Sequence, residues 1–300
     1  MTSIRILDGG MSRELQRLGA VLRQPEWSAL ALIDSPDIVR QVHAEFIEAG
    51  ADVVTTNSYA LVPFHIGQAR FEAEGAALLA LSGRLAREAA DACTDRKIIV
   101  AGSLPPIFGS YEPERFEPDR VQDYLKVFVA ELSPYVDIWL GETLSLIAEG
   151  EAVRVAVADT RKPFWVSFTL SDEPGDLDKP ARLRSGETVE DAARWAAGSG
   201  AEALLFNCSQ PEYMGRAVTI AREIFDAAGA DTRIGVYANA FDSEDEGAAN
   251  ETLSGLRDDL TEDRYNRFAC EWVEAGATMV GGCCGIGARH IGGLCQALRR

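Results

Sequence analysis

Short apolar runs rich in β-branched residues alternate with stretches of helical period along the whole chain. Continuous runs such as Lys97-Ile98-Ile99-Val100-Ala101 suit strands covered on both faces, as in a parallel sheet. Strands are predicted at 4–8, 52–56, 97–101, 136–141, 164–169, 203–207, 233–238 and 278–282. Amphipathic helices fill the intervals. One opens at Ser35-Pro36-Asp37 and stops at Gly50; others are predicted at 72–92, 118–133, 144–159, 188–199, 213–228, 261–275 and 288–298. Three helix ends carry the same phrase, a glycine stop running straight into a strand: Ala49-Gly50-Ala51, Ser199-Gly200-Ala201 and Ala275-Gly276-Ala277.

Eight alternating units in 300 residues predict an α/β chain folded as a single-domain (β/α)8 TIM barrel over 1–300. A doubly wound open sheet is the rival. It lacks its main support, because no Gly-x-Gly-x-x-Gly follows the first strand.

In such a barrel the chemistry sits at the C-terminal ends of the strands. Those ends carry Asp8-Gly9-Gly10, Thr55-Thr56-Asn57-Ser58-Tyr59, Gly141-Glu142-Thr143, Asn207-Cys208-Ser209 and Gly282-Cys283-Cys284. Adjacent cysteines rarely bridge each other, and taken alone such a pair reads more readily as buried, inert thiols than as ligands. Here the predicted register adds Cys208 from strand six to Cys283 and Cys284 from strand eight. Three thiolates at one rim suit Zn2+ and leave its fourth position open, the pattern of a catalytic site. Such a centre is a poor activator of water but suits binding a further thiol as thiolate, which points to alkyl transfer onto sulfur. Cys93, Cys270 and Cys295 fall in helices, where an ordinary thiol is expected. His290 falls on the last helix, and with three histidines in all neither histidine-based metal sites nor Ser-His-Asp catalysis is expected.

Composition narrows the partners. The six cysteines have no regular spacing, and 47% hydrophobic and 25% charged residues are ordinary for a globular chain. A net charge of −18 argues against nucleic acid and is compatible with attracting a small cation. No apolar run approaches the roughly 20 residues of a membrane span, and Met1–Asp8 lacks signal-peptide character. A cytoplasmic protein is expected. The pattern specifies no oligomeric state.

These residues resemble the homocysteine S-methyltransferases, the group that includes betaine–homocysteine methyltransferase and the homocysteine module of cobalamin-dependent methionine synthase. The resemblance covers nearly the whole chain. It rests on Leu7-Asp8-Gly9-Gly10-Met11, Pro25-Glu26-Trp27-Ser28-Ala29, Glu48-Ala49-Gly50-Ala51-Asp52, Thr55-Thr56-Asn57-Ser58-Tyr59, Gly141-Glu142-Thr143, Asn207-Cys208-Ser209 and Gly281-Gly282-Cys283-Cys284-Gly285. It implies a barrel with zinc on Cys208, Cys283 and Cys284, and small-molecule substrates: homocysteine and a cationic methyl donor. It places Glu142 at the homocysteine ammonium and Asp8, Gly9 and Gly10 along its amino acid end. Thr55, Asn57 and Tyr59 are the further candidate substrate contacts. A sulfonium or quaternary ammonium donor calls for aromatic and acidic walls, for which Trp27, Tyr59, Phe64 and Tyr111 are candidates and Tyr59 leads. The long segments 105–118, 171–186 and 240–260 are expected to cover the site. Two stretches depart from many relatives: Tyr237-Ala238-Asn239 lacks the proline of Tyr-Pro-Asn, and Ile286-Gly287-Ala288 replaces Thr-Thr-Pro. These put donor choice in question.

The alternatives are a same-fold methyltransferase for another small thiol and a non-catalytic zinc or thiol redox protein. The latter leaves Asp8-Gly9-Gly10 and Glu142 without a role. A barrel lyase would need a rim lysine, and Lys97, Lys126, Lys162 and Lys179 are not at strand ends.

Overall fold

The computed structural model describes residues 4–173, 175–241 and 255–299. Its strands are β1 (Arg5–Ile6), β2 (Val53–Thr55), β3 (Ile99–Leu104), β4 (Ile138–Leu144), β5 (Phe164–Phe168), β6 (Ala203–Asn207), β7 (Arg233–Ala238) and β8 (Met279–Gly282). All pair in parallel, β2 through β8 in sequence order and β8 with β1. The seam between β1 and β2 closes through a Leu7–Val53 bridge and the Asp52 N–H, which donates to the Ile6 carbonyl at 2.7 Å. The chain is thus a (β/α)8 barrel. Leu140, Trp165, Leu205, Tyr237 and Met279 fill its interior, and a larger apolar layer lies between the sheet and the helices. Among the described residues, no helix is long and apolar enough to cross a membrane.

Most predicted elements stand within a few residues of their expected ends, and the differences have causes. β3 begins at Ile99 rather than 97 and runs through Ser103 and Leu104; β4 runs from Ile138 to Leu144, so Glu142 and Thr143 lie inside a strand rather than after it. Polar residues continue these strands because they satisfy one another: the Ser103 hydroxyl donates to Glu142 Oε2. β1 is shorter than expected: Leu7 pairs only as an isolated bridge to Val53, and Asp8 takes the Thr55 N–H on its side chain at 2.7 Å while its carbonyl accepts from the Gly282 N–H at 2.9 Å. Helices Met11–Arg17, Ser28–Asp34 and Pro63–Ile66 were not predicted. Each is two turns or less, too short for a 3.6-residue period to show. The helix expected from 72 starts at Gln68, directly after Gly67, whose φ of +78° ends the preceding turn.

His43 sits on the helix Pro36–Glu48, fully buried, with both ring nitrogens lacking a partner among the described residues. Burial lowers its pKa from 6.5 to about 4. The fold therefore holds it neutral, while the unfolded chain takes up a proton below its ordinary pKa. Stability contributed by the neutral ring is intact above pH 6.5 and is lost as pH falls toward 4, at about 1.4 kcal/mol per unit. Thermal melts of wild type and His43→Leu at pH 7 and pH 5 should show a smaller acid-side loss in the variant. Equal losses would mean that His43 does not titrate on unfolding.

Candidate metal and substrate site

β6 ends at Asn207, and Cys208 follows with φ +52°, a left-handed backbone that costs a non-glycine residue about 1–2 kcal/mol. The carbonyls at the end of β7 hold both cysteine segments. Cys208 N–H donates to Tyr237 at 3.2 Å, and Cys283 N–H to Ala238 at 2.8 Å. The three sulfurs consequently lie within 4.8 Å of one another. Cys208 Sγ is 2.8 Å from Cys283 Sγ and 4.0 Å from Cys284 Sγ. Hydrogen bonds from Cys283 and Cys284 pull the Cys208 thiol well below its ordinary pKa against the effect of burial. The same pairing pushes Cys283 and Cys284 up. Thiolates held tetrahedrally at about 2.3 Å from one ion stand roughly 3.8 Å apart. The Cys208–Cys284 separation meets that, and Cys283 requires a swing of about 1 Å away from Cys208. This soft, anionic donor set fits a zinc-like cation. Asn207 braces it: its amide donates to Thr143 Oγ1 at 2.7 Å, accepts from Ser167 at 2.6 Å and lies 3.9 Å from Cys283 Sγ.

The turn Gly9-Gly10 packs on the cysteine pair. A Cβ on Gly10 would strike the Cys283 carbonyl and stand 2.9 Å from the Cys284 Cα; one on Gly9 would meet the Ile286 carbonyl and the Phe46 ring. The glycines are thus needed for close approach of two backbones. The Gly10 N–H donates to the Ile286 carbonyl at 2.9 Å, so it is engaged within the fold rather than held ready for a substrate carboxylate.

Asp8 and Glu142 open onto the same cavity, of about 100 Å³, as the three cysteines. Burial raises Asp8 to about 8, opposed by the Thr55 N–H and raised further by Glu142. Burial raises Glu142 to about 7, opposed by the Ser103 hydroxyl. Two carboxyl groups that are costly to ionise unaccompanied thus face one cavity. Thr55 spends its N–H and its hydroxyl, at 2.7 and 3.3 Å, on Asp8. The Asn57 amide donates to the Ser28 carbonyl at 3.2 Å, bracing the turn at Trp27. Tyr59 shares a 2.8 Å hydrogen bond with Ser110 and stands edge-on to Trp27, ring centres 6.0 Å apart.

Trp27, Tyr59 and Tyr111 line the cavity, and Phe64 does not; Phe64 instead lies under Arg115 and against His65. His290 lies away from the sulfurs, edge-on to Tyr265. Tyr237 is a further wall residue that the strand pattern presents only as barrel interior. Ser110, which orients Tyr59, carries no sequence signal, whereas Ser103, which orients Glu142, stands two residues past the strand predicted at 97–101. Trp27, Tyr111, Thr143 and Cys208 are four of the five non-glycine residues with positive φ among those described, and all four line the cavity. Backbone strain concentrates where the surrounding fold over-determines a functional geometry. Of the segments expected to cover the site, 105–118 supplies Tyr111 to the cavity lining, the described residues of 171–186 and 240–260 supply none, and 242–254 lie outside the described residues. The flanks are tied down by Arg257, which bonds Gln210 at 2.7 Å and Glu212 at 2.8 and 2.9 Å.

The family model for homocysteine S-methyltransferase matches residues 5–298. Homocysteine S-methyltransferase 1 of Zea mays is 31% identical, over 93% of this chain and 89% of its own length. Selenocysteine methyltransferase of Astragalus bisulcatus is 27% identical, over 98% and 92% respectively. The crystal structure of the homocysteine methyltransferase MmuM from Escherichia coli, in its metallated form, aligns with a TM-score of 0.78 at 27% identity, covering 97% of this chain and 95% of that one. A match of this extent, over a barrel whose rim gathers the three cysteines, places the chain in the homocysteine S-methyltransferase family.

Proposed function

We propose that this protein transfers a methyl group from a cationic donor to the sulfur of homocysteine, giving methionine, with Zn2+ held by Cys208, Cys283 and Cys284. The observation that carries this reading is the convergence of three sulfurs and two carboxylates, Asp8 and Glu142, on one aromatic-walled cavity. Zinc on three thiolates supplies a place where a substrate thiol, with a free pKa of about 8.5, is held deprotonated and nucleophilic at neutral pH. Glu142 takes the homocysteine ammonium. The amino acid end lies along Gly9 and Gly10, where no side chain intervenes. Asp8, held by Thr55, stands beside it as a second carboxyl, one that burial keeps protonated near neutral pH until the ammonium enters. Asn57 fixes the Trp27 turn, and Trp27, Tyr59 and Tyr111 offer ring faces to the donor cation. The homocysteine sulfur attacks the methyl carbon in line with the bond that breaks. That bond's electron pair stays on the donor heteroatom, and the thiol proton goes to solvent. Alignment replaces a general base.

S-methylmethionine and S-adenosylmethionine are both sulfonium donors that leave as neutral thioethers, and S-methylmethionine is the more compact of the two. Betaine is compact as well, but its leaving group is an amine. Methionine formation should be measured with the three donors in parallel, alongside metal content. One zinc per chain and fastest turnover with S-methylmethionine are expected. Absence of stoichiometric metal, or of product with every donor, overturns the reading.

A further inference from the structure

Tyr111 is held in place by a closed ring of contacts that the proposed chemistry does not use. Its backbone is left-handed, with φ +67°, a conformation that a tyrosine keeps only under outside restraint. Tyr111 and Cys208 line the same cavity, and the Tyr111 hydroxyl helps to hold the Cys208 thiol below its ordinary pKa. Its ring lies beneath the Arg184 guanidinium, 5.0 Å from ring centre to charge. Arg184 is paired with Asp172 at 2.9 Å, and the other Asp172 oxygen accepts from the Gln210 N–H at 2.9 Å. Gln210 is two residues from Cys208, so the circuit returns to its start. It crosses three loops, those after β3, β5 and β6. Tyr111 lines the cavity and Arg184 does not, so the guanidinium meets the ring from outside the cavity lining.

We propose that Arg184, fixed by Asp172, is a positioning residue that holds the Tyr111 ring as the wall on which the methyl donor's cation rests. Two cations on opposite faces of one ring would compete for it. The Asp172 carboxylate neutralises Arg184 and removes that competition, so the inner face stays available. Homocysteine, recognised through Glu142, does not depend on this wall. The inference rests on the methyl-transfer reading for its kinetic consequence but not for its structural one.

Two measurements on Arg184→Ala, Asp172→Asn and Arg184→Lys test it. The first is the KM for S-methylmethionine beside the Kd for homocysteine. The first two variants should raise the donor KM by about tenfold and move the homocysteine Kd by less than about twofold, with Arg184→Lys falling between them and wild type because a lysine keeps the charge and loses the planar stack. The second measurement is the rate at which iodoacetamide alkylates Cys208 in metal-free protein, read by peptide mass. It should rise about fivefold or more once Tyr111 is released, since a thiol's reaction rate follows its access. An unchanged donor KM together with an unchanged alkylation rate overturns the proposal. So does a homocysteine Kd that shifts as far as the donor KM, which would indicate general damage to the rim. If wild type makes no methionine from any donor, the methyl-transfer reading falls, and the alkylation rates alone decide whether Arg184 positions Tyr111.

Discussion

Cys208→Ser should lose its metal and, with it, methionine formation by about 10³-fold or more. Outer-shell changes at metal sites already cost 10- to 100-fold, and this change removes a ligand. Serine keeps the size but not the softness or acidity of the thiol, and a metal ligand must be deprotonated to bind. Hydrogen bonds from Cys283 and Cys284 also hold the Cys208 thiol well below its ordinary pKa. The measurement is metal per chain after dialysis, together with initial rates. Cys93→Ser is the control, since Cys93 caps the C-terminal end of the helix Gln68–Ala92, bonds Asp95 and is not one of the three clustered sulfurs. Retention of metal and rate in Cys208→Ser would remove the cysteines from the mechanism.

Glu142→Gln should weaken amino acid binding by roughly 10- to 100-fold, the worth of a charge-assisted hydrogen bond of about 1.5–3 kcal/mol. It should also reduce a pH dependence. Burial holds Glu142 at about 7 in the empty site, so below that pH the carboxyl is neutral and must lose its proton to accept an ammonium. The sign follows: affinity rises with pH by up to about tenfold per unit until about pH 7, then levels. Methionine, the product, is the probe of choice, because its thioether does not titrate and the thiol's own ionisation drops out. Calorimetry in wild type between pH 5.5 and 8 should show this slope and proton release on binding, and Glu142→Gln should show a shallower slope and fewer protons released, the remainder coming from Asp8, which burial raises to about 8. A flat wild-type profile would mean that Glu142 does not meet the ammonium.

The alternation of apolar runs and helical periods was enough to read the barrel, because burial on both faces leaves a strand no polar positions to confuse the pattern. β6 and β7 have the predicted ends for that reason. β3 and β4 are shifted because Ser103 and Glu142 continue the strands by bonding each other, a compensation between residues 39 apart that no local pattern contains. The candidate ligands were legible for a related reason. Strand ends face one rim, so placing Cys208 and the Cys283-Cys284 pair at strand ends brings them together without knowledge of side-chain positions.

What lies around those ligands was not legible. Tyr111 and Phe64 are equally plausible aromatics in a loop, and only the folded chain puts one on the cavity and the other under Arg115. The Gly10 N–H could serve a substrate on paper, yet the Ile286 carbonyl claims it. By itself the sequence determined the barrel, the rim on which chemistry sits and the soft donor set, since these follow from periodicity and residue type. Tertiary structure decided the strained backbone at Trp27, Tyr111, Thr143 and Cys208, the raised carboxylates and the Arg184–Tyr111 wall. Each of these is set by contacts between segments far apart in the chain, and by the loss of water that only their packing together brings.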